Sequence, residues 1–175
     1  RDVLGSRGLG DVYKRQIMLY SMEEGLGDSS ELVTMLDDAI AGDPQNIELW
    51  FSRAQIFVSL EDYDEAIASL EKAIELNPQS YEAQFFTGYY IIMKADALNQ
   101  EANEKEYTNA GEYEADQKEI LSIYSQAVPY LEVAHEIMPQ NPDPVQLLKT
   151  LCYRLRDEPG MMEKYEKYNE LYKQM

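Results

Sequence analysis

Apolar residues recur at helical spacing through the central stretch Asn46–Pro78. In its first half, Trp50, Ala54 and Phe57 lie three or four positions apart, a spacing that places them on one face of a helix. The second half carries a similar stripe, formed by Ala66, Ile67, Leu70, Ala73 and Ile74. The pattern therefore predicts two helices joined by a short turn.

Polar residues in this stretch predict where the second helix begins and ends. Asp62 can accept a hydrogen bond from the free N–H groups of the next turn, and Glu65 completes a capping box. Asn77 precedes Pro78, and a residue before proline is disfavoured in the α conformation. The second helix should therefore run from just after Asp62 to about Asn77.

The same pattern returns at fixed offsets along the chain. Asp28, Glu31 and Leu36 lie 34 positions before Asp62, Glu65 and Leu70. Farther on, the places of the second helix are filled 61 positions later, by Ala127, Leu131, Ala134 and Pro139. The last segment is offset by 95 positions, which places Asp157 where Asp62 lies and predicts that it caps the last helix. Fixed offsets of this kind indicate an array of repeats.

The central stretch resembles the tetratricopeptide repeat. The places typical of that repeat are filled by Trp50, Ala54, Phe57, Ala66, Leu70, Ala73 and Pro78. Arg53 departs from the pattern, because leucine is usual at its position. The resemblance implies an all-α fold, a right-handed superhelical solenoid of antiparallel helix pairs.

Register and offsets predict one domain of this type over residues 17–175. Its repeats cover about 17–46, 47–80, 81–141 and 142–175, and the third is enlarged by 27 residues. We expect the enlargement to lengthen two helices into a protruding antiparallel hairpin, with Pro129 inside the second helix. The alternative is that Pro129 separates two helices. Residues 1–16, Gly-rich and basic, are expected to be a non-native leader.

The charge is strongly acidic, with 33 Asp and Glu against 15 Lys and Arg and a net charge of −18. Such a balance argues against nucleic acid and against anionic lipid surfaces as partners, since both attract clustered Lys and Arg. The acids either solvate the outer helix faces or favour a basic partner. No run of 18 apolar residues is present, so no membrane insertion is expected.

The sequence carries no recognisable catalytic set of nucleophile, base and orienting group. The single histidine, His135, and the single cysteine, Cys152, fall at helix positions that favour packing over metal binding or reactivity. We therefore expect a protein that is not an enzyme and that needs neither a cofactor nor a metal.

In the family that this chain resembles, the first helices of successive repeats line a concave groove. That register predicts ten groove residues: Phe51, Gln55, Val58, Glu82, Phe85, Tyr89, Ile92, Gln146, Tyr153 and Arg154. We expect a protein or peptide partner with aromatic or aliphatic anchors. The alternative function is a structural or assembly protein that self-associates or docks through the protruding hairpin. For the groove itself, the alternative is that Phe51, Phe85, Tyr89 and Ile92 pack under the hairpin or in a homodimer.

The stretch 127–155 also resembles the closing portion of bacterial, often envelope-associated, proteins of this family. It favours the periplasm or cell envelope slightly over the cytoplasm, although the sequence leaves the compartment open.

Overall fold

The computed structural model of the chain describes residues 29–175, which form seven α-helices and no β-strand. The helices are α1 (Ser29–Gly42), α2 (Ile47–Ser59), α3 (Tyr63–Leu76), α4 (Tyr81–Glu104), α5 (Ala110–Ile137), α6 (Pro142–Arg154) and α7 (Met161–Gln174). The all-α prediction is confirmed. The expected leader, residues 1–16, and the Asp28 capping position lie outside the described residues. The chain divides into two compact units, one ending at Pro78 and one covering Gln79–Met175.

Side-chain caps fix most of the helix starts. The Asp62 side chain accepts from the backbone N–H of Glu65 at 3.2 Å, as predicted. Asn46, Ser80, Asn109 and Asn141 do the same for α2, α4, α5 and α6. The reciprocal half of the capping box is absent, because the Asp62 N–H donates to the Phe57 carbonyl at 2.9 Å instead.

The core of the first unit is built from α1, α2 and α3. Leu36 and Leu49 are fully buried, and Trp50 packs against their cluster while its indole N–H donates to the Pro44 carbonyl at 3.0 Å. The small residues of the repeat pattern are buried as well, namely Ala54, Ala66 and Ala73. Small side chains at these places let the helix backbones pack closely, as the pattern predicts.

Arg53, the departure from the repeat pattern, joins all three helices of this unit. Its guanidinium pairs with Asp37 of α1 and with Glu65 of α3, each at 2.9 Å, and donates to the Ser69 hydroxyl at 2.7 Å. It also lies 4.5 Å from the centre of the Phe57 ring. A polar network therefore takes the place of the usual leucine, and it occupies the Glu65 carboxylate that would have completed the capping box.

The second unit contains the predicted long hairpin. Helix α4 has 24 residues and α5 has 28, whereas the other five described helices have 13 or 14. Pro129 lies inside α5, so the alternative in which it separates two helices is wrong. The turn is tied by Glu112, whose carboxylate accepts from the Thr108 hydroxyl at 2.7 Å and the Asn109 amide at 2.9 Å. These bonds lower the pKa of Glu112.

The last helix, α7, begins later than predicted. Asp157 does not cap α7, which starts at Met161 after Gly160 in the left-handed conformation, φ 79°. Pro159 disfavours the α conformation at Glu158, so the helix cannot begin directly after Asp157.

Polar side chains connect α7 to α5. Tyr168 donates to Glu132 at 2.7 Å, and Lys164 pairs with the same carboxylate at 2.8 Å.

Candidate protein-binding surface

The ten predicted groove residues are divided between the two units. Phe51, Gln55 and Val58 lie on α2 of the first unit, where Gln55 is exposed and the other two are half-buried. The remaining seven lie on α4 and α6 of the second unit. The groove as a whole stays a prediction.

The main candidate surface is a group of aromatic rings in mutual contact on the first half of α4. Tyr81, Phe85 and Tyr89 lie one helical turn apart, and their rings stack in succession with centroid distances of 5.6 and 6.2 Å. Phe86 meets Phe85 edge-on at 5.5 Å, and Tyr90 lies 5.8 Å from Phe86. These five residues are called the aromatic patch below.

The patch is partly open to solvent. Phe86 and Tyr89 are 37% and 38% exposed, while Tyr81, Phe85 and Tyr90 are half-buried. Exposed aromatic rings held by their neighbours lose little conformational freedom on binding, which is why such residues often anchor partners. The sequence prediction included Phe85 and Tyr89 but missed the other three. Their signal was available in the i, i+4 spacing of Tyr81 and Phe85 and in the doublets at 85–86 and 89–90.

Acidic residues border one end of the patch. The Tyr81 hydroxyl accepts from the Asn141 amide at 2.8 Å, and burial together with the charges of Asp143 and Glu82 raises its pKa. Glu82, a predicted groove residue, is exposed. Ile92, another, is half-buried one turn beyond Tyr89. Negative charge therefore lies beside the Tyr81 end of the patch, and Ile92 adds apolar surface at the Tyr89 end.

Two of the three predicted residues on α6 are engaged within the chain. Arg154 pairs with Asp96 of α4 at 2.9 Å and lies 4.3 Å from the centre of the Tyr124 ring, while Tyr124 donates to the same Asp96. Tyr153 is 52% exposed and packs against Tyr165 of α7 at 5.2 Å. Neither contact is visible in the sequence, since each joins residues from different helices. The Gln146 side chain is exposed.

The residues considered for chemistry are packed. Cys152 is fully buried, and burial raises the pKa of its thiol to about 11, so it is a poor nucleophile near neutral pH. His135 is half-buried and meets Tyr168 edge-on at 6.5 Å. In residues 29–175, His, Cys, Asp and Glu form no group of three placed to hold a metal ion. Over the same range, no helix is both long and apolar enough to cross a membrane.

Successive helices of the described residues pack in pairs, α2 with α3, α4 with α5 and α6 with α7, which is the arrangement of a helical-repeat protein. Residues 47–80 match the family model of the tetratricopeptide repeat, so this stretch is a tetratricopeptide repeat, as its sequence pattern implied. A human relative, "Tetratricopeptide repeat protein 28", is 35% identical over 75 residues. That match covers 41% of this chain and 3% of the relative's length.

One solved structure shares the fold of this chain. "MamA MSR-1 C2" is 16% identical with a TM-score of 0.55, and the match covers 97% of this chain and 95% of that one. "Crystal structure of PilW, widely conserved type IV pilus biogenesis factor" is 19% identical with a TM-score of 0.39, covering 95% and 77%. The first of these shows the fold, while location and bacterial origin stay predictions from the sequence.

Proposed function

We propose that this chain is a non-enzymatic protein-interaction module whose aromatic patch on α4 binds a segment of another protein. The observation that carries the proposal is the stacked row of Tyr81, Phe85 and Tyr89 with Phe86 and Tyr89 open to solvent. Partner segments commonly dock aliphatic or aromatic side chains on such surfaces. The net charge of −18 favours a segment with basic residues beside its anchors.

The test begins with a peptide library displayed on phage and selected on the immobilised chain. We expect the selected peptides to share an apolar anchor with Lys or Arg beside it. A labelled consensus peptide then reports affinity by fluorescence anisotropy. The double variant Phe86→Ala/Tyr89→Ala should weaken its binding at least about tenfold, because aromatic anchors supply most of the energy of such contacts.

A matched control is Tyr113→Ala, which removes another exposed aromatic ring, 46% exposed, from the hairpin end of α5. It should leave the affinity unchanged. Thermal melting of each variant shows whether the fold is retained. A consensus peptide that binds the double variant as well as it binds the wild type would refute the patch as the binding surface.

A second candidate function is assembly with another copy of the chain through the same rings. The exposure of Phe86 and Tyr89 favours it, since two such faces could pair. Multi-angle light scattering separates the two roles. A dimer that the double variant converts to a monomer supports assembly, and a wild-type monomer at high concentration argues against it.

A further inference from the structure

The long hairpin contains a cleft near the C-terminal end of α4, whereas the aromatic patch lies on the first half of that helix. The cleft has a volume of about 210 Å³ and opens between the second half of α4 and the first half of α5. Its apolar lining consists of Leu98, Ala102 and Ile120, of which the last two are about 95% buried. This volume is smaller than the roughly 300–1,000 Å³ typical of small-molecule sites, so the cleft suits a single side chain.

The polar lining of the cleft is predominantly acidic. It consists of Glu101 from α4, Lys105 directly after that helix, and Asp116 and Glu119 from α5. Lys105 pairs with Asp116 at 2.6 Å, whereas Glu101 and Glu119 are exposed and form no ion pair within the described part of the chain. Two carboxylates, one from each helix, are therefore left unneutralised beside an apolar floor.

The whole outer hairpin is negative. Between Lys94 and Glu119 there are eight Asp and Glu against three Lys, a net charge of −5. Such a field attracts cationic groups and repels nucleic acid and anionic lipid. Charge complementarity thus selects the kind of partner that this surface can accept.

We infer that the cleft is a second binding site, which receives an arginine or lysine side chain from a basic segment of a partner protein. The aliphatic stem of that side chain lies on Leu98, Ala102 and Ile120, and its cationic head lies between Glu101 and Glu119. Long basic side chains bury their stems on apolar surface while the charge stays near water and carboxylates. The site shares no residue with the aromatic patch.

The protein's own Lys105 shows how this rim holds a cation. Its ammonium group contacts the Asp116 carboxylate and lies 5.0 Å from the centre of the Tyr107 ring. The Tyr107 hydroxyl donates to Asp116 at 3.1 Å, and the Lys105 contact lowers the pKa of that carboxyl. Glu101 and Glu119 offer the same type of acceptor to a cation from outside.

The experiment is an NMR titration of the full chain with the tripeptide acetyl-Leu-Arg-Leu-amide. We expect amide shifts confined to residues 98–105 and 116–120, weakening as salt is raised because exposed ion pairs are screened. The matched probe replaces arginine by citrulline, which keeps the shape of the side chain and removes its charge. It should produce shifts at least roughly fivefold smaller at equal concentration.

Two double variants test whether the arginine-dependent shifts arise from binding in the cleft. Glu101→Gln/Glu119→Gln should abolish most of the arginine-dependent shifts. Glu106→Gln/Glu114→Gln removes the same charge from exposed hairpin positions outside the cleft and should retain them. Equal loss in both double variants, equal response to citrulline, or shifts spread over the whole surface would overturn the proposal. Because Phe86→Ala/Tyr89→Ala leaves the cleft intact, failure of one site is distinguishable from failure of the other.

Discussion

Gly88 determines how closely α4 and α5 approach. A Cβ atom at this position would lie 2.8 Å from Leu131 Cγ and 3.3 Å from the Ala127 carbonyl oxygen. Real Cβ atoms do not approach that closely, and the branched Leu131 carbon cannot simply swing away. Gly88 lies 34 positions after Ala54, so the enlarged repeat uses an even smaller residue at the same place.

We predict that Gly88→Ala lowers the free energy of unfolding by about 1 kcal/mol. Alanine gains up to about 1 kcal/mol of helix propensity, but overpacking at Leu131 costs roughly 1–3 kcal/mol. Urea denaturation measures the difference. Gly42→Ala is the control, because a Cβ there meets no atom within 4 Å. It should be neutral or slightly stabilising, and a Gly88→Ala variant that behaved in the same way would contradict the close approach.

At the scale of elements, the contact between α5 and α7 depends on the ionised Glu132 carboxylate. Its partial burial opposes ionisation, but the hydrogen bonds from Lys164 and Tyr168 outweigh this effect and lower its pKa below the usual 4.5. A carboxyl whose folded-state pKa is lowered stabilises the fold above its unfolded pKa, and this contribution is lost as the pH falls through the folded value.

The variant Glu132→Gln tests this linkage. Its amide oxygen can still accept from Tyr168, but the charge that pairs with Lys164 is gone. We expect a loss of about 1 kcal/mol at pH 7 that shrinks below about pH 4.5. Urea unfolding at several pH values measures it. Glu136→Gln, an exposed change on the same helix, should show no such trend, and a constant deficit for Glu132→Gln down to pH 3 would refute the assignment.

The elements themselves were largely predictable, because their signals are local. Helical spacing and the offset of Ala127 and Leu131 from their counterparts predicted the hairpin, and Asp62 was placed correctly as a cap. The predicted start of α7 was wrong, because the prediction followed the repeat register and gave too little weight to Pro159 and Gly160. A register carried from one repeat to another ignores changes in turn residues.

Contacts between helices were the part that sequence could not supply. Arg53 appeared only as a departure from the pattern, and its partners lie 16 and 12 positions away on two other helices. Arg154 was predicted to face a partner, yet it pairs with Asp96, 58 positions earlier. A polar side chain on a helix face has many possible partners, and only the packing angle of the helices decides among them.

At the scale of the molecule, the second unit has its own core. Leu131, Leu148 and Val145 are fully buried within it, and Tyr124 and Tyr168 are 2% exposed. Each of these side chains belongs to α5, α6 or α7, and α4 covers α5 through Gly88.

We predict that a fragment of residues 79–175 folds by itself. It should show helical circular dichroism and a single cooperative thermal transition, because it retains all four helices of its unit. The shorter fragment 79–141 lacks α6 and α7, which exposes the apolar side of α5, so it should melt at lower temperature or without cooperativity. A longer fragment that fails to unfold cooperatively would show that its stability depends on the first unit.

The continuity of α4 has a consequence for avidity. Tyr89 of the aromatic patch and Glu101 of the hairpin cleft lie on one uninterrupted helix, about 18 Å apart along its axis at 1.5 Å per residue. About six extended residues cover that distance. A partner that places an apolar anchor and a basic side chain at this separation would bind the second site at an effective concentration in the millimolar range. Because one continuous helix fixes the distance between the two sites, binding would depend on the spacing of the partner's anchor and basic residue as strongly as on their identity.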